Sequence, residues 1–117
     1  TDIICKHWRF KTPDTARRSA DKIYRMFESY KNKGDFIGMD MCRKFLEMGF
    51  TRARRYANHK DGKKYNPDRT IKPQEPDALT SDKALSAKIF KNMRDLAAYD
   101  ETYQTMRKQW RESENAV

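Results

Sequence analysis

Arginine and lysine are the residues of this chain best placed to do chemistry, because they are concentrated. Between Arg43 and Lys64 stand eight of them (Arg43, Lys44, Arg52, Arg54, Arg55, Lys60, Lys63 and Lys64), against only Glu47 and Asp61. A planar guanidinium can grip phosphate oxygens or guanine edges with two bonds at once, so the pattern points to a polyanionic partner. Arg52, Arg54, Arg55, Asn58 and His59 form the candidate contact group, Lys60, Lys63 and Lys64 reinforce it, and Arg43 and Lys44 extend it upstream. Screening confines such a field to about 8 Å at physiological ionic strength, so these side chains must act by direct contact. Aromatic residues interleave with the cations at His7-Trp8-Arg9-Phe10-Lys11 and at Tyr56, Lys63, Lys64 and Tyr65. That mixture is expected where bases stack beside phosphate contacts, while Trp8 and Phe10 also read as core area, which for Trp8 is the favoured reading because of the area a tryptophan buries.

Catalytic chemistry finds less support. His7, His59, Asp35, Asp40 and Cys42 form no recognised nucleophile and base pattern. Asp35 and Asp40 stand five apart, about 140° round a helix, so they do not share a face as an acid and base pair. Asp61-Gly62-Lys63-Lys64 has too few glycines for a phosphate-cradling loop. Cys5-x-His7 followed by isolated Cys42 and His59 lacks the paired spacing of a structural zinc site, so neither a metal nor a cofactor is expected. Two distant cysteines make no disulfide framework, which fits a reducing, cytoplasmic setting, with Cys42 acting as a small buried hydrophobe.

The whole chain bears out the bias of its middle. It has 117 residues and a net charge of +9, with 26 Lys and Arg against 17 Asp and Glu. The first 64 residues hold 17 basic and 8 acidic side chains, and the remaining 53 hold 9 of each, so all of the net charge lies in the first half. Apolar and charged residues each make up 37% of the chain, which predicts one small domain with a thin core. No apolar run approaches the roughly 20 residues needed to cross a bilayer, and no signal-peptide pattern follows Thr1.

Positioning these groups falls to helices. Thr12-Pro13-Asp14 reads as a helix start, and Ala16, Ala20, Ile23, Phe27 and Tyr30 recur as one apolar face up to about Lys31, with Gly34 to end it. A second helix is predicted over Ile37 to Met48, capped by Asp35 and ended by Gly49. Thr51 would then cap a short third helix to about His59, with Phe50, Ala53 and Ala57 inward and Arg52, Arg55, Asn58 and His59 outward. Two helices joined by Glu47-Met48-Gly49-Phe50-Thr51 give the pattern of a helix-turn-helix, whose second helix enters the major groove. Lys60 to Thr80 is punctuated by Gly62, Pro67, Pro73 and Pro76 and predicts a long loop that is mobile alone and orders on a polyanion only from Lys60 to Tyr65, with Asp68 to Asp77 staying mobile unless the loop packs back on the helices. A fourth helix follows Thr80-Ser81-Asp82, with Leu85, Ile89, Met93 and Leu96 as its buried stripe. Asp100 caps the last, which presents Tyr103, Met106 and Trp110. Ile3 to Phe10 could be a lone strand or an extended arm.

The stretches His7-Trp8-Arg9-Phe10-Lys11-Thr12-Pro13, Gly34-Asp35-Phe36-Ile37-Gly38-Met39-Asp40-Met41, Arg43-Lys44-Phe45 and Met48-Gly49-Phe50-Thr51-Arg52-Ala53-Arg54-Arg55-Tyr56-Ala57-Asn58-His59 resemble an uncharacterised domain-of-unknown-function family of bacteria, fungi and tailed phages. The resemblance covers most of the chain through Tyr65 and is looser over the last two helices. It implies a phage or bacterial origin and a further N-terminal segment, with a Gly-Arg-Gly-Glu-Gln-Gly-like turn, that these 117 residues do not include. It implies no mechanism.

The sequence therefore predicts a mainly α single domain of about five helices: an arm or strand over 1–11, a basic helical part over 12–59, a loop over 60–80 and a helical pair over 81–111. The function it predicts is non-catalytic nucleic-acid binding, to DNA or RNA. The alternative is an interaction module that docks on an acidic surface of a host or virion protein.

Overall fold

The β-branched start of the chain does not pair as a strand. In the computed structural model, which describes residues 2–59 and 63–115, it forms a single helical turn, α1 (Asp2–Cys5). A strand needs a neighbour for its N–H and C=O groups, and among the described residues none lies beside this one. The turn instead buries Ile4 and leaves Ile3 exposed. An extended segment follows and carries Trp8 and Phe10 onto the core, so the arm, rather than the strand, is what forms.

Thr12 starts α2 (Pro13–Lys33) as expected: its hydroxyl accepts from the Thr15 N–H at 3.2 Å, and the Thr15 hydroxyl accepts from the Thr12 N–H at 2.9 Å. This reciprocal capping satisfies two donors at the helix entry. Gly34 ends the helix with φ +71°, a conformation that costs glycine nothing. Ala16, Ala20, Ile23 and Phe27 are fully buried, which is the face the periodicity predicted.

The predicted break at Gly49 is absent. Asp35 caps α3 (Phe36–Asn58), its carboxylate accepting from the Gly38 N–H at 3.0 Å, and the helix then runs 23 residues without interruption. The helix-turn-helix and the separate third helix are therefore corrected to one continuous helix. Gly49 ends nothing: it is buried in the middle of α3, where a Cβ would stand 2.5 Å from the Phe90 ring. Thr51 likewise caps nothing, since its hydroxyl donates back to the Met48 carbonyl at 3.1 Å.

Ser81 caps α4 (Asp82–Ala98) as expected, but the buried face differs from the predicted stripe. Ala84, Ser86, Ala87, Phe90 and Ala97 face inward, Ile89 and Met93 are half-buried, and Leu85 and Leu96 are exposed. The physical reason is close approach. α4 lies against Gly49 of α3, a contact that small residues and one aromatic ring can fill and branched leucines cannot. Asp100 caps α5 (Glu101–Asn115) by accepting from the Tyr103 N–H at 2.9 Å, and its other oxygen takes Lys31 at 2.7 Å, which ties α5 to α2. Phe27, Met39, Leu46, Phe90 and Tyr103 then form one core shared by α2 to α5. The protein is thus a mainly helical single small domain with five helices among the described residues. None of these helices is long and apolar enough to cross a membrane.

Between α3 and α4 the loop folds back on α3. Tyr65 and Ile71 form an isolated antiparallel bridge around an Asn66–Thr70 turn. The Glu75 N–H donates to the Asn58 carbonyl at 2.8 Å, and Ala78 is buried. The second half of the loop thus packs back on α3, the condition under which Asp68 to Asp77 was not expected to stay mobile. The expectation for Lys60 to Gly62 falls outside the described residues.

Candidate nucleic-acid interface

The continuous α3 sorts the predicted contact residues into two groups. Arg43 lies in the inward-facing group, where its Nε donates to the Tyr103 hydroxyl at 3.0 Å, Nη1 to Glu47 at 2.6 Å and Nη2 to Asp40 at 2.9 Å. Tyr103 donates its own proton to Asp40 at 2.6 Å, and Lys44 approaches the same carboxylate at 3.2 Å. Burial alone would raise the Asp40 carboxyl, but the bonds from Tyr103, Arg43 and Lys44 outweigh it and hold the group below the usual carboxylate range. Burial, and then Asp40, push the Tyr103 hydroxyl up. This network fastens α5 to α3, so Arg43 is occupied in holding the fold.

Arg54 is occupied too, its Nη1 donating to the Ala78 carbonyl at 2.6 Å and pinning the loop. Asn58 is half-buried beneath the same loop. His59, expected to project outward, is 6% exposed: the returning loop covers the end of α3, and the histidine caps it through its N–H to the Arg55 carbonyl at 2.8 Å. Its Nδ1 has no hydrogen-bond partner among the described residues. Arg52, Arg55, Lys63 and Lys64 remain exposed. Lys64 sits 5.7 Å from the Tyr65 ring, and Lys60 lies outside the described residues.

Arg52 shows where the exposed charge leads. Its guanidinium stands 5.0 Å over the Trp8 ring, joining α3 to the N-terminal arm. Trp8 is half-buried and fixed: its indole N–H donates to the Phe45 carbonyl at 3.0 Å, and its ring meets Phe10 at 5.2 Å and Phe45 at 5.7 Å. On one side of the arm an open cleft of about 350 Å³ separates it from α2, lined by Lys6, Arg9, Arg18 and Lys22 with His7, Thr15 and Ser19, and by no carboxylate. Ser19 holds the arm there, donating to the His7 carbonyl at 2.6 Å and accepting from the Arg9 N–H at 2.8 Å. On the other side an open cleft of about 320 Å³ is lined by Trp8, Arg9, Phe10, Lys11, Tyr56 and Lys83. Arg9 belongs to both.

The sequence reading missed Lys6, Arg9, Arg18 and Lys22 as one group. Arg18 and Lys22 were legible as neighbours four apart on the solvent face of a helix. That the arm would lay Lys6 and Arg9 beside them depends on Ser19, one hydroxyl in a buried face otherwise of Ala16, Ala20, Ile23 and Phe27. The aromatic and cationic segments around Trp8 and Tyr56 are far apart in the sequence, and the fold brings them to one cleft. Cys42 is fully buried, and burial pushes its thiol up to about 12, while Cys5 is exposed. No group of three or more His, Cys, Asp or Glu among the described residues could hold a metal ion.

These features define a small, basic, mainly helical domain with an aromatic and cationic arm clamped across two of its helices. The chain belongs to the family described as domain of unknown function DUF4385, whose model matches residues 1–113. No curated protein and no solved structure matches it.

Proposed function

We propose that this domain is a non-catalytic nucleic-acid-binding protein, and that it holds the phosphate backbone on the face where the arm crosses α2 and α3. The observation that carries this reading is the cleft lined by Lys6, Arg9, Arg18 and Lys22 without a carboxylate. Three other cations of α2 have acids within reach and are paired with them, Arg17 with Asp14, Arg25 with Asp21 and Lys31 with Asp100. Four cations facing one cleft repel each other and raise the local potential, a cost that a bound polyanion relieves. Arg52 and Arg55, exposed on α3, continue the positive surface beyond Trp8. Phosphate contacts of this kind position a backbone and carry no sequence preference by themselves.

Fluorescence anisotropy with a labelled generic oligonucleotide tests it. Arg18→Ala with Lys22→Ala removes two exposed cations, so affinity should fall several-fold while the thermal melt stays within a few degrees of the parent. Unchanged affinity in that variant would place the contact elsewhere, and no binding of any oligonucleotide by the parent at low salt would end the reading.

A further inference from the structure

We infer that the cleft between the arm and α3 receives an unpaired nucleobase, so that the ligand of this face is single-stranded nucleic acid. The inference rests on the phosphate-binding reading above and adds its substrate class. Three aromatic residues, Trp8, Phe10 and Tyr56, line a cleft of about 320 Å³, which is the low end of the range for small-molecule sites and suits one flat ring rather than an extended ligand. Two of its walls are rigid: Trp8 is bonded to the Phe45 carbonyl, and Phe10 contacts Phe90 edge-on at 6.5 Å. The third, Tyr56, is 41% exposed, with Lys83 5.9 Å from its ring. Lys83 also donates to the Lys11 carbonyl at 2.9 Å, which fixes the start of α4 against the arm and sets the width of the cleft.

Charge gives the strand a direction. Beyond Tyr56 lies a wider cleft lined by Asp77 and Asp82 against the one ammonium of Lys83, which makes it the less favourable side for phosphates. On the opposite side Arg9 opens into the cationic cleft of Lys6, Arg18 and Lys22. A base seated between the arm and Tyr56 therefore sends its backbone across Arg9 toward α2. A duplex keeps its bases stacked inside and cannot place one in the cleft without unpairing it, so single strands are favoured.

The test uses the intact chain with base-bearing and abasic single strands of equal charge and a duplex as the paired control. A homopolymeric thymidine or uridine strand, the same length of abasic strand and a duplex are titrated against the parent, Tyr56→Ala and Tyr56→Phe. The base-bearing strands should bind the parent roughly tenfold more tightly than the abasic one, which carries the same phosphates but no ring. Tyr56→Ala should lose most of that difference and Tyr56→Phe should keep it, with duplex binding unaffected by either. Equal affinity for abasic and base-bearing strands, or equal behaviour of the two Tyr56 variants toward single strands, overturns the base site while leaving phosphate binding intact. Failure of every oligonucleotide to bind removes both proposals together. A Trp110→Phe background leaves Trp8 as the one tryptophan, and its emission should change with the base-bearing strands and not with the abasic one.

Discussion

Replacing Gly49 by alanine tests the close approach of α3 and α4 by the partner of its effect, because a helix-ending glycine also loses by the change but only this one loses through Phe90. In an open helix interior the substitution would stabilise by about 1 kcal/mol, since alanine loses less backbone freedom than glycine. Here the new Cβ would stand 2.5, 2.7 and 2.7 Å from three atoms of the Phe90 ring. Ordinary contact begins near 3.4 Å, so a shift close to an ångström is required of a ring that is fully buried and cannot swing into solvent. Overpacking of this kind costs about 1–3 kcal/mol, and a clash with three ring atoms belongs at the upper end. Offset by the propensity gain, the net loss is about 2 kcal/mol, or about 8 °C in Tm for a domain of this length. Urea denaturation followed by circular dichroism measures it, and Phe90→Leu supplies the cycle. With the ring gone, Gly49→Ala should cost less than half as much. A neutral or stabilising Gly49→Ala, or the same cost in both backgrounds, would refute the close approach of α3 and α4.

Two truncations test the helix faces together. Phe27→Ala removes a fully buried ring stacked on Tyr24 and tilted against Tyr103, and should cost about 3–5 kcal/mol, whereas Leu85→Ala, on the exposed side of α4, should cost under about 1 kcal/mol. Comparable urea midpoints for the two would mean the face of α4 is misplaced. Arg52→Ala with Arg55→Ala should weaken oligonucleotide binding and lower stability by no more than about 1 kcal/mol, the worth of the stacking of Arg52 on Trp8; a melt that falls as steeply as the affinity would make these arginines structural. The network around Asp40 fixes a pH dependence. Its folded pKa lies below the unfolded value, so the stability it contributes is complete above the unfolded carboxylate pKa and is lost as pH falls through the depressed folded one. Asp40→Asn should therefore lower stability at neutral pH and flatten its decline in acid, and urea midpoints collected from neutral to strongly acid pH that keep the parent's slope would contradict that assignment.

Local rules were legible in this chain and distances between elements were not. Thr12, Gly34, Asp35, Ser81 and Asp100 each act at the helix end where their chemistry placed them, because capping is decided within a few residues. Gly49 misled because a glycine that ends a helix and one that admits a neighbouring ring look the same in sequence, and only the position of Phe90, 41 residues away, distinguishes them. The stripe of α4 misled for the same reason: leucines at helical spacing are the usual core, but a close crossing selects alanines. Charge density locates the excess of cations in the first half of the chain. It could not show that Arg43 would spend its donors on Asp40, Glu47 and Tyr103, nor that Ser19 would lay the arm along α2.

The salt dependence of binding to a single-stranded oligonucleotide tests the account most directly. Each phosphate neutralised contributes about −0.7 to the slope of log affinity against log salt. The account predicts a straight line of negative slope for the parent, and a slope shallower by about 1.4 for the variant carrying Arg18→Ala and Lys22→Ala, which has lost two contacts. Identical slopes for the two proteins, or an affinity that does not change with salt, would contradict the claim that this cationic cleft holds a nucleic-acid backbone.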